Sequence, residues 1–297
     1  MKIGSQAHKD LFCGAFVDHH RAYEPEQLAW PVLDVDALTL LRGLPFWTHA
    51  LQAEEDAGPM ISACAALEPD RVVRQALELQ AFEETRHARI IKHMIERYGL
   101  HADEIRVEIP ADAVEAFIDF GFEECLDSFG AFGLFKLARE HLNMPPPLFD
   151  IFDRVMQEEA AHIVFFLNWF AHREANRGFV PGAVRHLRAL RHYSRALRKL
   201  AALALSGGAS EGKDFIVSGA DAFVDNLTPA VVLAACLEEN ARRLAGFDRR
   251  LLVPQLAPRL ARFALAVLTL RPHRGAHGQR PEGAASLEGR FFRSRKN

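Results

Sequence analysis

The hydrophobic positions of the chain repeat with helical spacing over most of its length, and turn residues divide them into long segments. The four strongest segments are predicted to be helices at about 45–67, 71–98, 111–142 and 148–176. Pro69 ends the first helix, because the residue before a proline is restricted away from helical backbone, and Asp70 can cap the second. Gly99 and Gly178 are expected to end the second and fourth helices.

Residues 99–110 connect the second and third predicted helices and contain alternating Ile105, Val107 and Ile109 before Pro110. Twelve extended residues span about 40 Å, which is enough to cross the length of a helical bundle. The pattern therefore predicts an all-α protein, a four-helix bundle with a long crossover between helices two and three and additional C-terminal helices.

The segments on either side of the bundle have different patterns. Residues 1–35 show no clean period and are predicted to form an irregular N-terminal arm, so the bundle occupies residues 36–178. Residues 179–270 are predicted to be a helical extension, with helices at about 182–205, 213–225, 229–248 and 255–270. Residues 271–297 hold many Arg, Gly and His with little periodicity and are predicted to be a disordered basic tail.

The composition is that of an ordinary globular protein and narrows the function classes. The chain has 297 residues, 49% hydrophobic and 25% charged, which predicts one large or two small domains. Its net charge of -3 gives no global attraction to nucleic acid. The four cysteines lack paired spacing, which indicates a reducing compartment and neither a zinc site nor a disulfide framework. Neither a signal peptide nor a membrane-spanning apolar stretch is recognisable, so we expect a cytoplasmic protein.

The predicted helix 182–205 is amphipathic and strongly basic, and several interpretations of it stay open. Its basic residues are Arg185, Arg188, Arg191, Arg195, Arg198 and Lys199. They form a solvated helix face, a peripheral contact with an anionic membrane surface, or a contact with an acidic carrier protein. Nucleic-acid binding is the least favoured interpretation, because Tyr193 is the only aromatic residue that interleaves these charges.

One pair of adjacent glutamates lies on each of the four predicted bundle helices. The pairs are Glu54-Glu55, Glu83-Glu84, Glu123-Glu124 and Glu158-Glu159. The second and fourth pairs are followed by histidine, which gives the motifs Glu84-x-x-His87 and Glu159-x-x-His162. Residues three apart share one face of a helix, so the Glu and His of each motif can reach the same metal ion.

The neighbours on each helix face indicate which glutamate of a pair points inward. Glu54 shares its face with apolar residues such as Leu51, whereas Glu55 lies beside polar ones. Glu123 has acidic neighbours, which favours Glu124 as the inward residue. A buried charge without a partner is costly, and several buried carboxylates repel one another unless cations neutralise them.

The pattern also repeats along the chain. The two Glu-x-x-His motifs are offset by 75 residues, and Glu54 and Glu124 by 70. This repeat predicts two helix pairs that face each other across a pseudo-twofold axis with metal ions between them. A fifth pair, Glu238-Glu239, is followed by Arg242 instead of histidine and is interpreted as the solvated edge of a helix.

Over about residues 40–175 these motifs resemble the ferritin-like di-iron carboxylate superfamily. The resemblance implies two iron ions, or one manganese and one iron, bound by Glu54, Glu84, His87, Glu124, Glu159 and His162. In that family the motif glutamates bridge the metals and each histidine binds one metal, so Glu84 and Glu159 would be the catalytic, bridging carboxylates. Glu54 and Glu124 would be terminal ligands.

Departures from individual branches narrow the resemblance to the oxygenases and hydroxylases of this superfamily. Ile91 stands where ribonucleotide reductase small subunits carry a radical tyrosine, and Val155 where the N-oxygenase branch adds a third histidine. The paired-cysteine iron sites of rubrerythrins are missing, and the chain continues for about 120 residues beyond the bundle, unlike cage-forming ferritins.

The resemblance implies an O2-dependent di-iron monooxygenase or hydroxylase that takes electrons from an external reductase and oxidises an organic, apolar substrate, free or carrier-bound. A ferroxidase or iron-handling protein is the first alternative, and a metal-free helical scaffold is the second. Whether the chain forms a homo-oligomer is left open. The candidates for the outer hydrogen bonds that orient the two histidines are Asp119, Asp127 and Arg86.

Overall fold

The computed structural model describes residues 1–44, 46–178, 182–205 and 228–270, with the side chains of 187–199 in the third of these ranges. Within these ranges the chain forms nine α-helices and one 3-10 helix, Pro25–Gln27, and no strand. The α-helices are α1 Gln6–His19, α2 Val35–Gly43, α3 Trp47–Leu67, α4 Arg71–Tyr98, α5 Ala113–His141, α6 Pro146–Asn176, α7 Gly182–Leu205, α8 Pro229–Leu244 and α9 Leu256–Leu270. The all-α prediction is confirmed.

Helices α3 to α6 form a four-helix bundle, and local capping explains where they begin and end. Asp70 accepts hydrogen bonds from two backbone N–H groups in the first turn of α4, and Asp112 accepts one in the first turn of α5. Gly99 ends α4 in the left-handed conformation with φ of +60°, which favours glycine. Residues 100–112 then carry the chain to α5 without helix or strand, as the predicted crossover requires.

The prediction of an irregular N-terminal arm over residues 1–35 is wrong, because this stretch contains α1 and the start of α2. The side chain of Ser5 caps α1. Phe12 and Phe16, one turn apart, share a face, and their ring centroids lie 5.7 and 4.8 Å from that of Phe165 in α6. Burial of these rings against the bundle stabilises a helix whose own periodicity is weak.

The bundle interior has two halves. The half that surrounds the N-terminal part of α4 is a closely packed aromatic and aliphatic core. Its fully buried members include Ile61, Leu77, Phe117, Phe122, Phe165, Phe166 and Trp169. Gly121 permits this packing, because a Cβ atom there would lie 2.3 Å from the ring of Phe166. The other half of the interior contains a cavity, described below with the site.

Helix α7 packs on the bundle through its basic residues. Arg195 donates to Asp119 of α5 at 3.0 Å, and Arg188 donates to Glu174 of α6 at 2.9 Å. Lys199 forms an ion pair with Glu123 of α5. Three of the six basic residues of the predicted helix therefore contact the bundle, and a membrane or carrier contact through this helix stays a prediction.

Helices α8 and α9 follow the predicted C-terminal helices, whereas the predictions for 213–225 and 271–297 fall outside the described residues. The interpretation of the fifth glutamate pair as a solvated edge is wrong for Glu239. Its side chain is buried, accepts from Arg242 at 2.6 Å and lies 2.8 Å from Arg243. In the described part of the chain, no helix has both the length and the apolar character that a membrane span requires.

Candidate metal centre

The two Glu-x-x-His motifs meet at the middle of the bundle, one on α4 and one on α6. His87 and His162 are each 1% exposed, and their ring centroids lie 5.6 Å apart. Glu84 and Glu159 are also buried. A helical repeat of 3.6 residues places the Glu and His of each motif on the inward face, so the four side chains converge.

Each motif glutamate directs one carboxylate oxygen to each histidine. Glu84 Oε2 lies 3.7 Å from His87 Nδ1, and Glu84 Oε1 lies 3.1 Å from His162 Nδ1. Glu159 Oε1 lies 2.9 Å from His87 Nδ1, and Glu159 Oε2 lies 3.4 Å from His162 Nδ1. Each of the two carboxylates thus lies between the two imidazole rings.

Glu54 of α3 joins this buried acidic and histidine cluster. Its Oε2 lies 3.5 Å from His87 Nδ1, and its neighbour Glu55 instead forms an ion pair with Lys92. One ligand atom each from Glu54, Glu84, His87 and Glu159 fall within 4.8 Å of one another, so these four residues could hold a metal ion.

Glu124 of α5 lies outside that group of four but lines the same cavity as Glu54 and Glu159. Its Oε2 accepts a hydrogen bond from the Ser128 hydroxyl at 3.4 Å. The structure thus places Glu124 beside the cluster without a direct contact to its histidines among the described interactions.

The outer nitrogen of each histidine, Nε2, contacts the first glutamate of the adjacent pair on the other helix. His87 Nε2 lies 2.8 Å from Glu158 Oε2, and His162 Nε2 lies 2.9 Å from Glu83 Oε2. Glu158 and Glu83 are both buried. The two adjacent glutamates of each pair therefore make different contacts. The first orients a histidine of the other helix, and the second faces the centre of the cluster.

These outer contacts correct the predicted ones. Arg86 donates to Glu158 at 2.7 Å and so supports the histidine contact indirectly. Asp119 contacts Arg195 of α7 instead of either cluster histidine, and Asp127 lines the cavity. The sequence analysis did not assign these contacts to Glu83 and Glu158. The two residues are nevertheless 75 positions apart, the same offset as the motif residues.

The segment that follows α1 completes the outer shell and was also missed. The Tyr23 hydroxyl donates to Glu158 Oε2 at 2.8 Å, and His20 Nδ1 lies 2.6 Å from Glu83 Oε1. The Arg86 guanidinium stacks over the Tyr23 ring at 4.0 Å from its centroid. The N-terminal region therefore covers the outer side of both histidine–glutamate pairs.

The inner nitrogens of the two histidines test whether the cluster fits a metal ion. His87 Nδ1 and His162 Nδ1 are buried and lack a hydrogen-bond partner among the described groups, although carboxylate oxygens lie close by. A histidine that donates through Nε2–H keeps the Nδ1 lone pair free to bind a metal. Two imidazole nitrogens with carboxylate oxygens form a ligand set that suits iron or manganese. The residues therefore fit the metals that the sequence resemblance implies.

The ionisable groups of the cluster shift one another's pKa values, because they are buried and close together. Burial raises the pKa of Glu54 to about 8, although contact with His87 lowers it. Burial also raises the pKa of Glu124 well above its ordinary range, and the charge of Glu159 adds to this effect. For His87 and His162, burial lowers the pKa, but the surrounding carboxylates outweigh burial and hold both pKa values well above normal. The buried carboxylates thus favour positive charge at this place, which protons or a bound metal ion can supply.

A cavity of about 290 Å³ adjoins the cluster. Its polar lining comes from four residues at the cluster and three others, namely Glu54, His87, Glu124 and Glu159 together with His49, Asp127 and Ser128. The rest of the lining is apolar and comes from α2, the bundle helices and the α5–α6 loop, including Leu40, Leu44, Trp47, Ile91, Met94, Ala131, Phe132, Met144, Phe149, Phe152 and Val155. A mostly apolar cavity with a few convergent polar groups has the character of a small-molecule site.

Comparisons with protein families, with curated proteins and with solved structures found no match for this chain. The features of the molecule that bear on its function are the helical fold, the buried cluster and the adjoining cavity.

Proposed function

We propose that the protein is a ferritin-like di-iron carboxylate oxygenase that oxidises an apolar organic substrate with O2 and electrons from an external donor. The observation that carries this proposal is the apolar cavity, which reaches the cluster at Glu54, His87, Glu124 and Glu159. A carboxylate and histidine cluster next to an apolar chamber is suited to bring an organic molecule to a metal pair.

In this proposal Glu84 and Glu159 would hold the metal ions between the two helices, because each of them directs one oxygen to each histidine. His87 and His162 would each supply Nδ1 as a ligand, since it is the nitrogen that their outer hydrogen bonds leave without a partner. The remaining ligands would be Glu54 and Glu124. Two iron ions, or one manganese and one iron, would supply the reduction of O2 that the protein's own side chains cannot perform.

The overall reaction consumes one O2, two electrons and two protons. One oxygen atom enters the substrate and the other leaves as water. The protein's residues orient and shield this chemistry: Glu158 and Glu83 fix the two histidine rings, and Arg86 balances the charge of Glu158. The apolar walls of the cavity exclude water from the reacting centre.

A ferroxidase is a second candidate, and one observation favours it. Asp127 is exposed and lines the same cavity as Glu124, so a carboxylate stands between the surface and the cluster. Such a carboxylate could pass Fe²⁺ inward. The apolar character of the remaining lining favours the oxygenase, because hydrated iron gains nothing from apolar walls.

Oxygen uptake by anaerobically iron-loaded protein separates the two candidates. For an oxygenase, we expect one round of O2 consumption, which then resumes only when a reductant is added. A ferroxidase would instead oxidise each further addition of Fe²⁺ without a reductant and accumulate iron beyond about two ions per chain. Either continuing oxidation of added Fe²⁺ or a failure to consume any O2 would contradict the proposal.

The matched variants for this experiment are two double substitutions of histidine. His87→Ala with His162→Ala removes both proposed nitrogen ligands, and we expect it to abolish O2 uptake. His101→Ala with His141→Ala removes two exposed histidines outside the cluster and should leave uptake unchanged. Equal uptake by both double variants would indicate that the iron reacts elsewhere.

A further inference from the structure

Helix α9 packs on the rest of the protein through a face of small residues. Ala261 is buried in a cluster with Phe129 of α5 and Cys236 of α8, and Ala257, one turn earlier, packs against the same cluster. A rotation of about 100° per residue places Phe263 on the far side of the helix from Ala261. One face of α9 is therefore fixed against the bundle, and the opposite face points away from it.

The outward face of α9 carries a stripe of large apolar side chains. Leu260, Phe263, Val267 and Leu270 follow one another at helical spacing and are 47, 71, 38 and 79% exposed. These four residues are called the α9 stripe below. Single exposed apolar residues are ordinary on protein surfaces, whereas a contiguous group of them marks a contact site.

Two cations lie beside the α9 stripe. Arg259 and Arg262 are both exposed, and among the described residues neither has an acidic partner. In α7, by contrast, three of the basic residues form ion pairs with the bundle. Helix α9 itself contains no Asp or Glu. Cations beside an apolar helix face are typical of helices that lie in the interface of a membrane.

The residues that follow α9 in the sequence are strongly basic. Residues 271–297 contain six Arg and one Lys against two Glu, a net charge of +5. The whole chain has a net charge of -3, so residues 1–270 carry -8. Positive charge is thus concentrated after α9 in a protein that is otherwise acidic. An anionic lipid surface attracts the basic part of the chain and repels the acidic remainder.

We propose that the protein binds an anionic membrane surface through the α9 stripe, with Arg259, Arg262 and the basic residues of 271–297 against the lipid phosphates. Fifteen residues make α9 about 22 Å long, which is shorter than a hydrocarbon core of about 30 Å. The helix therefore lies along the surface instead of crossing it. This binding is independent of the proposed oxygenase activity, because none of these residues belongs to the metal centre.

Co-sedimentation of the full-length protein with lipid vesicles tests the proposal. We expect binding to vesicles of equal parts phosphatidylcholine and phosphatidylglycerol, and binding about tenfold weaker or less to phosphatidylcholine alone. Added salt should weaken the binding to the anionic vesicles, because it screens the charges. Absence of binding to the anionic vesicles at low salt would overturn the proposal, and so would equal binding to both kinds of vesicle.

A substitution in the α9 stripe tests whether its apolar side chains enter the membrane. Phe263→Gln with Leu270→Gln should weaken binding to the anionic vesicles by about tenfold or more. Val32→Gln with Val35→Gln makes the matched change at two strongly exposed apolar residues elsewhere and should leave binding unchanged. All four positions are exposed, so both variants should fold. Equal affinities of the two variants would overturn the role of the α9 stripe.

A second pair of variants tests the cations. Arg259→Gln with Arg262→Gln should weaken binding to the anionic vesicles by about fivefold for each arginine, with little change on phosphatidylcholine alone. Arg71→Gln with Arg106→Gln removes the same charge at exposed positions elsewhere and should leave binding unchanged. Equal losses for the two variants would show an unspecific attraction of charge and would overturn the proposal.

A second copy of the chain and helix α7 are the rival explanations. Sedimentation velocity without lipid detects a dimer, and a dimer that Phe263→Gln dissociates, in a protein that binds no vesicles, would overturn the proposal. Leu187 and Leu190 are exposed apolar residues of α7. If Leu187→Gln with Leu190→Gln abolished vesicle binding while the α9 variants retained it, the membrane contact would belong to α7 and the proposal would be wrong.

Discussion

Glu158 Oε2 lies 2.8 Å from His87 Nε2, and the adjacent Glu159 reaches the other nitrogen of the same ring, with Oε1 2.9 Å from Nδ1. Two neighbouring glutamates of α6 thus contact both sides of one imidazole on α4. The same relationship holds for Glu83 and His162 with the helices exchanged. The ring of each histidine is therefore held by a glutamate that lies outside the set of proposed metal ligands.

We expect Glu158→Gln to weaken metal binding, because the amide is a poorer acceptor for His87 Nε2–H and no longer fixes the tautomer. Loss of such an outer partner typically reduces metal affinity by about 10- to 100-fold. Competition with a chelator measures this change. Glu55→Gln removes an outward carboxylate of α3, which pairs with Lys92, and serves as the control. Equal affinities of the two variants would contradict the assigned role of Glu158.

Metal affinity should depend on pH in a defined direction. The pKa of Glu54 is raised to about 8, so in the metal-free protein this carboxyl holds a proton below pH 8 that a metal ion must displace. Affinity should therefore rise with pH between 6 and 8, by about tenfold per unit for each proton released. Dissociation constants at pH 6, 7 and 8 measure the slope, and Glu54→Gln should reduce it. Affinities that do not change over this interval would contradict the account.

The contact between α5 and α8 depends on a glycine. A Cβ atom at Gly133 would lie 2.3 Å from Cys236 Sγ and 2.7 Å from the Cys236 backbone, which cannot rotate away. Gly133→Ala should therefore lower the free energy of unfolding by about 1–3 kcal/mol or more. Gly14→Ala, in α1, meets nothing within 4 Å among the described residues and should raise it by roughly 0.5–1 kcal/mol. Urea denaturation compares the two, and a neutral Gly133→Ala would show that α8 packs differently.

The ion pairs of α7 predict a contribution of Asp119 to stability in one pH range. Burial opposes ionisation of Asp119, but contacts with His192 and Arg195 outweigh it and lower the pKa of this carboxyl. Its contribution is present above the ordinary aspartate pKa of about 3.9 and is lost as the pH falls through the lowered value. Asp119→Asn should therefore destabilise the protein at pH 7, and should do so less at pH 3, where the unfolded-state carboxyl is protonated. Asp150→Asn, at an exposed position of α6, is the control for thermal unfolding at both values.

The four bundle helices could be predicted from the sequence, because their periodicity is long and their ends are marked chemically. The prediction of 71–98 for α4 agrees with Arg71–Tyr98, where Asp70 caps the start and Gly99 ends the helix. The prediction of 148–176 for α6 missed only the first two residues, both prolines, which fit the first helical positions.

Other features could not be read from the sequence because they depend on contacts distant along the chain. Helix α1 is stabilised by Phe12 and Phe16 packing on α6, which local periodicity does not reveal. The contact of His20 with Glu83 joins residues 63 positions apart. The cavity depends on how far apart the helices lie, and a pattern of apolar positions does not fix that distance.

The metal content per chain of protein expressed with iron distinguishes a metal centre from a metal-free scaffold. We expect about two irons per wild-type chain, about two in the control with His101→Ala and His141→Ala, and none in His87→Ala with His162→Ala. Wild-type protein that binds no transition metal under several loading conditions would contradict the account and favour a metal-free helical scaffold.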